Sequence, residues 1–282
     1  MKSIHIVEQF LPFAWEKAVL ACWECGESFP TEYDKPGDPN SRDVTALIHV
    51  TRPFDEPRIH RALPGGLEDL EKYRAEVLYG VHDHWIDPSA GKWEYTYHER
   101  LFEYRLPDGS VFDQIQGAID KLKAVPHTRR AQAVTWQVWN DMNIADPACL
   151  QRMWFRIADG KLHMNVHMRS NDAFKAAFMN MFAFTELQAM VAREVGVLPG
   201  EYMHIADSFH IYGSYFSEFE GFLKTVRTRD LPDRVFTSDS AREIFVEACD
   251  TLLAEPDMPP DKKALVRKRK AELMGKRGPT TN

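Results

Sequence analysis

The sequence predicts an α+β protein, a large mixed sheet covered by helices, with a helical appendage at its C-terminal end. Three observations predict it. Short stretches with strand character (ALIHV, the two segments flanking ADGK, and GEYMHIADSFHIY) are interleaved with longer stretches of helical spacing. The final third carries helical segments throughout. With 282 residues, 44% of them hydrophobic, the chain is long enough to bury a sizeable core. The expected division is a main domain over 1–230 and a helical extension over 231–282 packed on it.

Residues 11–27 read as an amphipathic helix, with Pro12 tolerated in its first turn. The polar loop TEYDKPGDPNSRD follows, and ALIHV then reads as a strand. Leu67–Tyr79 repeats its apolar residues at helical spacing, and a further helix runs over 113–124 from Asp113. Ala131–Trp139 reads as a strand leading into the loop DMNIADPAC. Residues 151–158 and 161–169 form a predicted hairpin, because Asp-Gly in ADGK is a tight-turn signal. Asp172 to Val195 is helical, with Asp172 as N-cap. GEYMHIADSFHIY is a strand broken at Asp207–Ser208. EFEGFLKTV, SAREIFVEACDTLLA and DKKALVRKRKAEL each suit a helix, the last reading as a solvated basic face before the tail GKRGPTTN.

The net charge of -7 argues against a general nucleic-acid binder but leaves room for a local cationic pocket for one phosphate. The N-terminus lacks a long apolar signal region and no apolar run approaches membrane-spanning length, so a cytoplasmic protein with reduced thiols is expected. Cys22 and Cys25 form a lone CxxC without a second pair, which reads as helix residues rather than a zinc site. His82, Asp83 and His84, and the pair His163 and His167, lack a metal-ligand spacing, so no metal is expected.

Chemistry concentrates elsewhere. Cys149 sits in a loop after a strand, in DPACLQ. Arginines nearby can lower a thiol's pKa and make it a nucleophile, although a buried inert thiol is the default for any one cysteine. Arg169–Ser170–Asn171–Asp172 puts a guanidinium, a hydroxyl, an amide and a carboxylate into four residues, suited to a phosphate or to a strand end with a cap. Arg129 and Arg130 are adjacent and can face different partners across a strand. His210 and Tyr212 share a strand face, and can hold a sugar hydroxyl or each other.

Together these residues resemble the thymidylate synthase superfamily. The match runs without a gap through DPACLQRMWFRIADGKLHMNVHMRSNDAFKAAFMNMFAFTELQAMVAREVGVLPGEYMHIADSFHIY. The resemblance implies a thymidylate synthase-like fold and a thiolate, Cys149, that adds to C6 of a pyrimidine nucleoside monophosphate. C5 then attacks the one-carbon unit of 5,10-methylenetetrahydrofolate. It implies that Arg169 and Ser170 bind phosphate, with Arg169 helping to ionise the thiol, and that Asn180 reads the base edge. Asp172 lies near base and folate, and His210 and Tyr212 hold the 3′-hydroxyl. Arg129 and Arg130 match a pair that reaches the phosphate of a neighbouring subunit, so a homodimer is implied. A looser, gapped match makes Tyr97 the active-site tyrosine, Glu76 the helical glutamate that organises proton transfer, and Arg42 a mobile-loop arginine closing on phosphate. TYHERL, AAFMN and TELQ are closer to the short archaeal and phage-like branch than to the common bacterial synthase.

Two reactions share this machinery. A synthase shields its exocyclic methylene intermediate and reduces it, whereas a hydroxymethylase lets water add. The tail lacks the usual apolar lid, the segment after HIY lacks the usual closing stretch, and His82 stands where a tryptophan is expected. Access of water would follow. Hydroxymethylation of dUMP is therefore the expected reaction, with thymidylate synthesis, or hydroxymethylation of dCMP or CMP, as alternatives. Asn180 favours uracil over cytosine, because one amide offers both a donor and an acceptor. A Cys–His hydrolase or transferase and a non-catalytic nucleotide binder are the competing classes.

Overall fold

The computed structural model describes residues 1–275. In chain order it forms β1 (Ser3–Glu8), α1 (Leu11–Cys25), β2 (Glu27–Phe29), β3 (Ser41–Val50), β4 (Ile59–His60), α2 (Gly66–Tyr79), α3 (Tyr97–Phe102), β5 (Tyr104–Arg105), β6 (Val111–Phe112) and α4 (Gln114–Ala124). Then follow β7 (Gln132–Val134), β8 (Leu150–Ala158), β9 (Lys161–Asp172), α5 (Ala177–Val195), β10 (Leu198–Ile211), α6 (Phe216–Thr228), β11 (Val235–Phe236), α7 (Arg242–Ala254) and α8 (Pro260–Gly275).

The main sheet has the order β1-β3-β10-β9-β8-β7, with β2 also paired to β3. It is mixed: β1–β3 and β10–β9 are parallel, and β10–β3, β9–β8 and β8–β7 are antiparallel. Alternation decides which face is covered. Along β9, Leu162, Met164, Val166 and Met168 are fully buried while the residues between them are not. Helix α5 packs on that face and is buried nearly all round, Phe178, Phe182 and Phe184 included. Burying a phenylalanine contributes roughly 2–3 kcal/mol, so this helix is the anchor of the core. Helix α1 covers the same layer, and its buried Trp15 Nε1 donates to Ala173 O at 2.8 Å, just beyond the end of β9.

Most expected elements are present. The hairpin turn has Asp159 at φ 50 and Gly160 at φ 70, the left-handed pair that Asp-Gly tolerates. Differences arise at the ends. The strand expected over Ala131–Trp139 is only Gln132–Val134, because the chain then turns to place Asp141 against Arg100 at 2.8 Å. Asp172 ends β9 instead of capping α5 directly: its carboxylate accepts from Phe174 N and Lys175 N, and the helix begins at Ala177. Strand β1 was not foreseen.

The C-terminal helices are held by charge as well as by apolar packing. Glu71 on α2 is fully buried and bonds both Arg74 Nε at 2.8 Å and Arg269 of α8, at 2.9 and 3.0 Å. Burial alone would raise Glu186 on α5, but Arg58, Arg269 and Arg74 hold it down at about 2. One arginine of the basic run therefore points inward, where a wholly solvated face was expected.

Candidate active site

Three adjacent strands align the polar residues in register. Ser170 of β9 stands beside Ser208 of β10, Asp172 beside His210, and His210 in turn beside Asp43 of β3. Neighbouring strands lie about 4.8 Å apart, so residues distant in sequence become a continuous row. A β-bulge between Ala206 and Phe209 sets this row up. Before it, Tyr202, His204 and Ala206 are the fully buried residues; after it, Phe209 and Ile211 are. Ser208 is thereby left to the cavity at this end of the sheet.

That cavity has a volume of about 1030 Å³ and is lined by Cys149, Arg169, Ser170, His210 and Tyr212, together with Tyr33, Lys35, Asp43, Asp146 and Ser208. Its outer wall is the loop between β2 and β3. Gly213 lets that loop seat against the end of β10, since a Cβ there would lie 1.7 Å from Pro39 O.

Arg169 braces the cysteine loop. Its guanidinium donates to Pro147 O at 2.6 Å and Ala148 O at 3.1 Å, and Nη2 lies 3.7 Å from Cys149 Sγ. Burial pushes the Cys149 thiol up, Arg169 pulls it down and Asp146 pushes it up again, for a net rise. The arginine therefore offsets part of the cost of burial, in the direction that the resemblance implies. Asp146→Asn should remove the opposing charge. The pH midpoint of Cys149 alkylation by iodoacetamide is expected to fall in this variant, and an unchanged or higher midpoint would refute the assignment. Burial likewise raises Asp172 to about 6, against its two backbone donors and Lys175, which suits a group that exchanges protons near neutrality.

A second cavity of about 450 Å³ adjoins the first, sharing Ala145 and Asp146 with it, and is walled by Tyr73, Glu76, Trp93, Tyr95 and Tyr97. Glu76 Oε2 bonds His82 Nδ1 at 3.0 Å, and His82 stacks on Trp85 with ring centroids 3.8 Å apart. Trp85 in turn meets Trp93 edge-on at 5.1 Å. Of these two tryptophans, Trp93 lines the cavity. Tyr97 Oη accepts from Leu150 N at 3.3 Å, directly behind the cysteine. Asn180 is buried, with Oδ1 accepting from Tyr73 Oη at 2.5 Å, so Tyr73 rather than Asn180 lines the cavity.

Five expected residues line neither cavity: Asp172, Asn180, Arg42, Arg129 and Arg130. Arg42 is in strand β3, not in a loop, and its guanidinium sits 5.3 Å from the Trp23 ring centroid. Arg129 and Arg130 are exposed just before β7; Arg130 lines a separate groove with Tyr104 and Phe112. Residues that sequence reasoning missed are Tyr73, Tyr95, Asp43, Ser208 and Lys35. Tyr95 and Ser208 carried a signal, each lying two positions before an expected site residue; Asp43 and Lys35 carried none.

The thymidylate synthase family model matches residues 68–253. A putative thymidylate synthase of Methanocaldococcus jannaschii is 34% identical over 193 residues, 66% of this chain and 81% of that protein. A putative thymidylate synthase of Methanosarcina acetivorans is 29% identical over 213 residues, 76% of this chain and 91% of that protein. The thymidylate synthase of Listeria monocytogenes is 28% identical over 177 residues, but those cover only 55% of its length. With the cysteine, the arginine brace and the strand-aligned row already in place, the chain belongs to the thymidylate synthase family, a family of one-carbon transferases.

Proposed function

We propose that this protein methylates dUMP at C5, through a covalent adduct between Cys149 and C6 of the base, as a thymidylate synthase. The single observation that carries the reading is the pairing of the two cavities: a nucleotide-sized one reaching Cys149, joined at Ala145 and Asp146 to one walled by Trp93 and tyrosines. The aromatic second cavity fits a flat pterin, which stacks on such rings. Bound there, 5,10-methylenetetrahydrofolate would supply the one-carbon unit and the hydride, held among Trp93, Tyr95 and Glu76.

The chain's own residues divide the remaining work. Cys149 donates its sulfur electron pair to C6, and negative charge develops on the C4 carbonyl and C5. Arg169 and Ser170 take the phosphate, fixing the base over the thiol. Phosphate bound at Arg169 is expected to redirect the guanidinium that now lies beside the sulfur. Glu76, oriented by His82, moves protons at the base edge. Asn180 acts through the Tyr73 hydroxyl, and His210 and Tyr212 receive the sugar. The first cavity is lined by two cations, Lys35 and Arg169, against four carboxylates, Glu32, Asp38, Asp43 and Asp146. A dianionic phosphate needs more positive charge, which supports Arg129 and Arg130 arriving from a second copy in a homodimer.

Hydroxymethylation of dUMP keeps the argument from the stretch after HIY, where α6 stands in place of a closing segment; the tail GKRGPTTN lies outside the described residues except for Gly275. Trp93, Tyr95 and Tyr97 in the wall of the second cavity would shield the bound intermediate, which tips the proposal towards methylation. No helix among the described residues is long and apolar enough to cross a membrane, in keeping with a cytoplasmic site of action. Mass spectrometry of products from dUMP, dCMP, UMP and CMP with methylenetetrahydrofolate tests the proposal. A methyl gain on dUMP with dihydrofolate is the expected result; a hydroxymethyl gain with tetrahydrofolate would replace it, and no product with any nucleotide would end the folate reading.

A further inference from the structure

Beside the sugar end of the first cavity lies a polar chain of which the reaction as described uses only His210. Ser208 Oγ donates to Asp43 Oδ2 at 2.6 Å and lies 3.0 Å from His210 Nδ1. Both Asp43 Oδ1 and His210 Nε2 are buried with no hydrogen-bond partner. All three residues line the cavity, and Asp43 and His210 are direct cross-strand neighbours.

Proton counting fixes the direction of this chain. A carboxylate only accepts, so the one hydroxyl proton of Ser208 is committed to Asp43. The Ser208 oxygen can then offer His210 only a lone pair, and Nδ1 must carry a hydrogen to use it. Burial lowers His210 to about 4, so the ring is neutral at physiological pH and has one hydrogen to place. With that hydrogen on Nδ1, Nε2 is left as a bare acceptor.

We propose that Asp43 and Ser208 are positioning residues that lock His210 in the Nδ1–H tautomer, so that this end of the site selects a sugar by a hydroxyl that donates a hydrogen bond to Nε2. The selection rests on the nucleotide reading above; the tautomer lock does not. A ligand hydroxyl would complete a buried imidazole that has no other partner, and a sugar without it would leave that nitrogen unsatisfied.

Two measurements test this. In the full-length protein labelled with ¹⁵N-histidine, the His210 ring, assigned by its loss in His210→Gln, is expected to show a protonated Nδ1 and an unprotonated Nε2 at neutral pH. Asp43→Asn frees the Ser208 hydroxyl to donate to the ring, and an Nε2–H population should appear; Asp43→Ala provides the same readout should the amide variant fold poorly. An Nε2–H ring in the wild type, or an unaltered ring in both variants, overturns the lock. By calorimetry, wild type should bind dUMP roughly 10-fold more tightly than 3′-fluoro-2′,3′-dideoxyuridine monophosphate, whose fluorine cannot donate, the worth of about one hydrogen bond, and Asp43→Asn, with an Nε2–H to offer, should reduce that ratio towards unity. A ratio that survives in Asp43→Asn overturns the selection. Binding of neither nucleotide by wild type would sink the nucleotide reading, and the selection with it, while the ring spectra still judge the lock.

Discussion

Cys149→Ser is expected to lower single-turnover product formation at least ~1000-fold and to abolish the covalent protein–nucleotide adduct seen on denaturing mass spectrometry. A serine hydroxyl is far harder to ionise than a thiol, and the buried setting that already raises Cys149 would penalise an alkoxide more heavily still. Nucleotide affinity should stay within a few-fold of wild type. Arg169 holds the loop through the Pro147 and Ala148 carbonyls, not through the side chain at 149, so the pocket survives the exchange. A serine variant that turns over at the wild-type rate would show that the thiol is a bystander. Loss of nucleotide binding together with activity would show instead that its role is structural.

Glu71→Ala should destabilise the fold by ~3–5 kcal/mol, measured by urea unfolding, because it strands two arginines that share one buried carboxylate. Arg74 is 2% exposed and its Nη2 already lacks a partner, so it cannot turn to water without opening the α2 packing. Helix α8 should loosen first, and limited proteolysis is expected to cut within it before the sheet. Replacing Glu71, Arg74 and Arg269 together with methionine should cost much less than Glu71→Ala, since apolar side chains of similar volume avoid the desolvation penalty and leave no buried charge unpaired. A loss below 1 kcal/mol for Glu71→Ala would mean that the apolar contacts of α7 and α8 suffice on their own.

Much of this architecture was legible in the residues. The Asp-Gly turn, the periodicity of α2 and α5, and the cap at Asp113, which accepts from Gln116 N at 2.8 Å, are local signals, and local signals survive folding. Strand β1 was not legible, because SIHIVE is half-exposed and gains its identity only by pairing with β3. Arg269 failed for a related reason. A basic helix read by itself looks solvated, and its buried partner Glu71 lies 198 positions away. The cysteine, the RSND stretch and the His-x-Tyr pair were found because their spacing along the chain is rigid. Tyr73 and Asp43 were missed because each matters through a neighbour on another element: Tyr73 through Asn180, and Asp43 through Ser208.

The bulge at Ala206–Phe209 can be regarded as a frameshift written into a strand. Ahead of it, even-numbered residues of β10 belong to the core, and behind it the core passes to odd-numbered ones. Deleting a single residue there would restore one uninterrupted alternation opposite β3 and leave Phe209 on the core face, because three steps of β10 already stand against two of β3 between Ala206 and Phe209. The loss would fall on the cavity, since Asp207 or Ser208 would be gone and the remaining one would fill the single step between two core residues. The extra residue is thus spent on the binding end of the strand, and the core could be built without it.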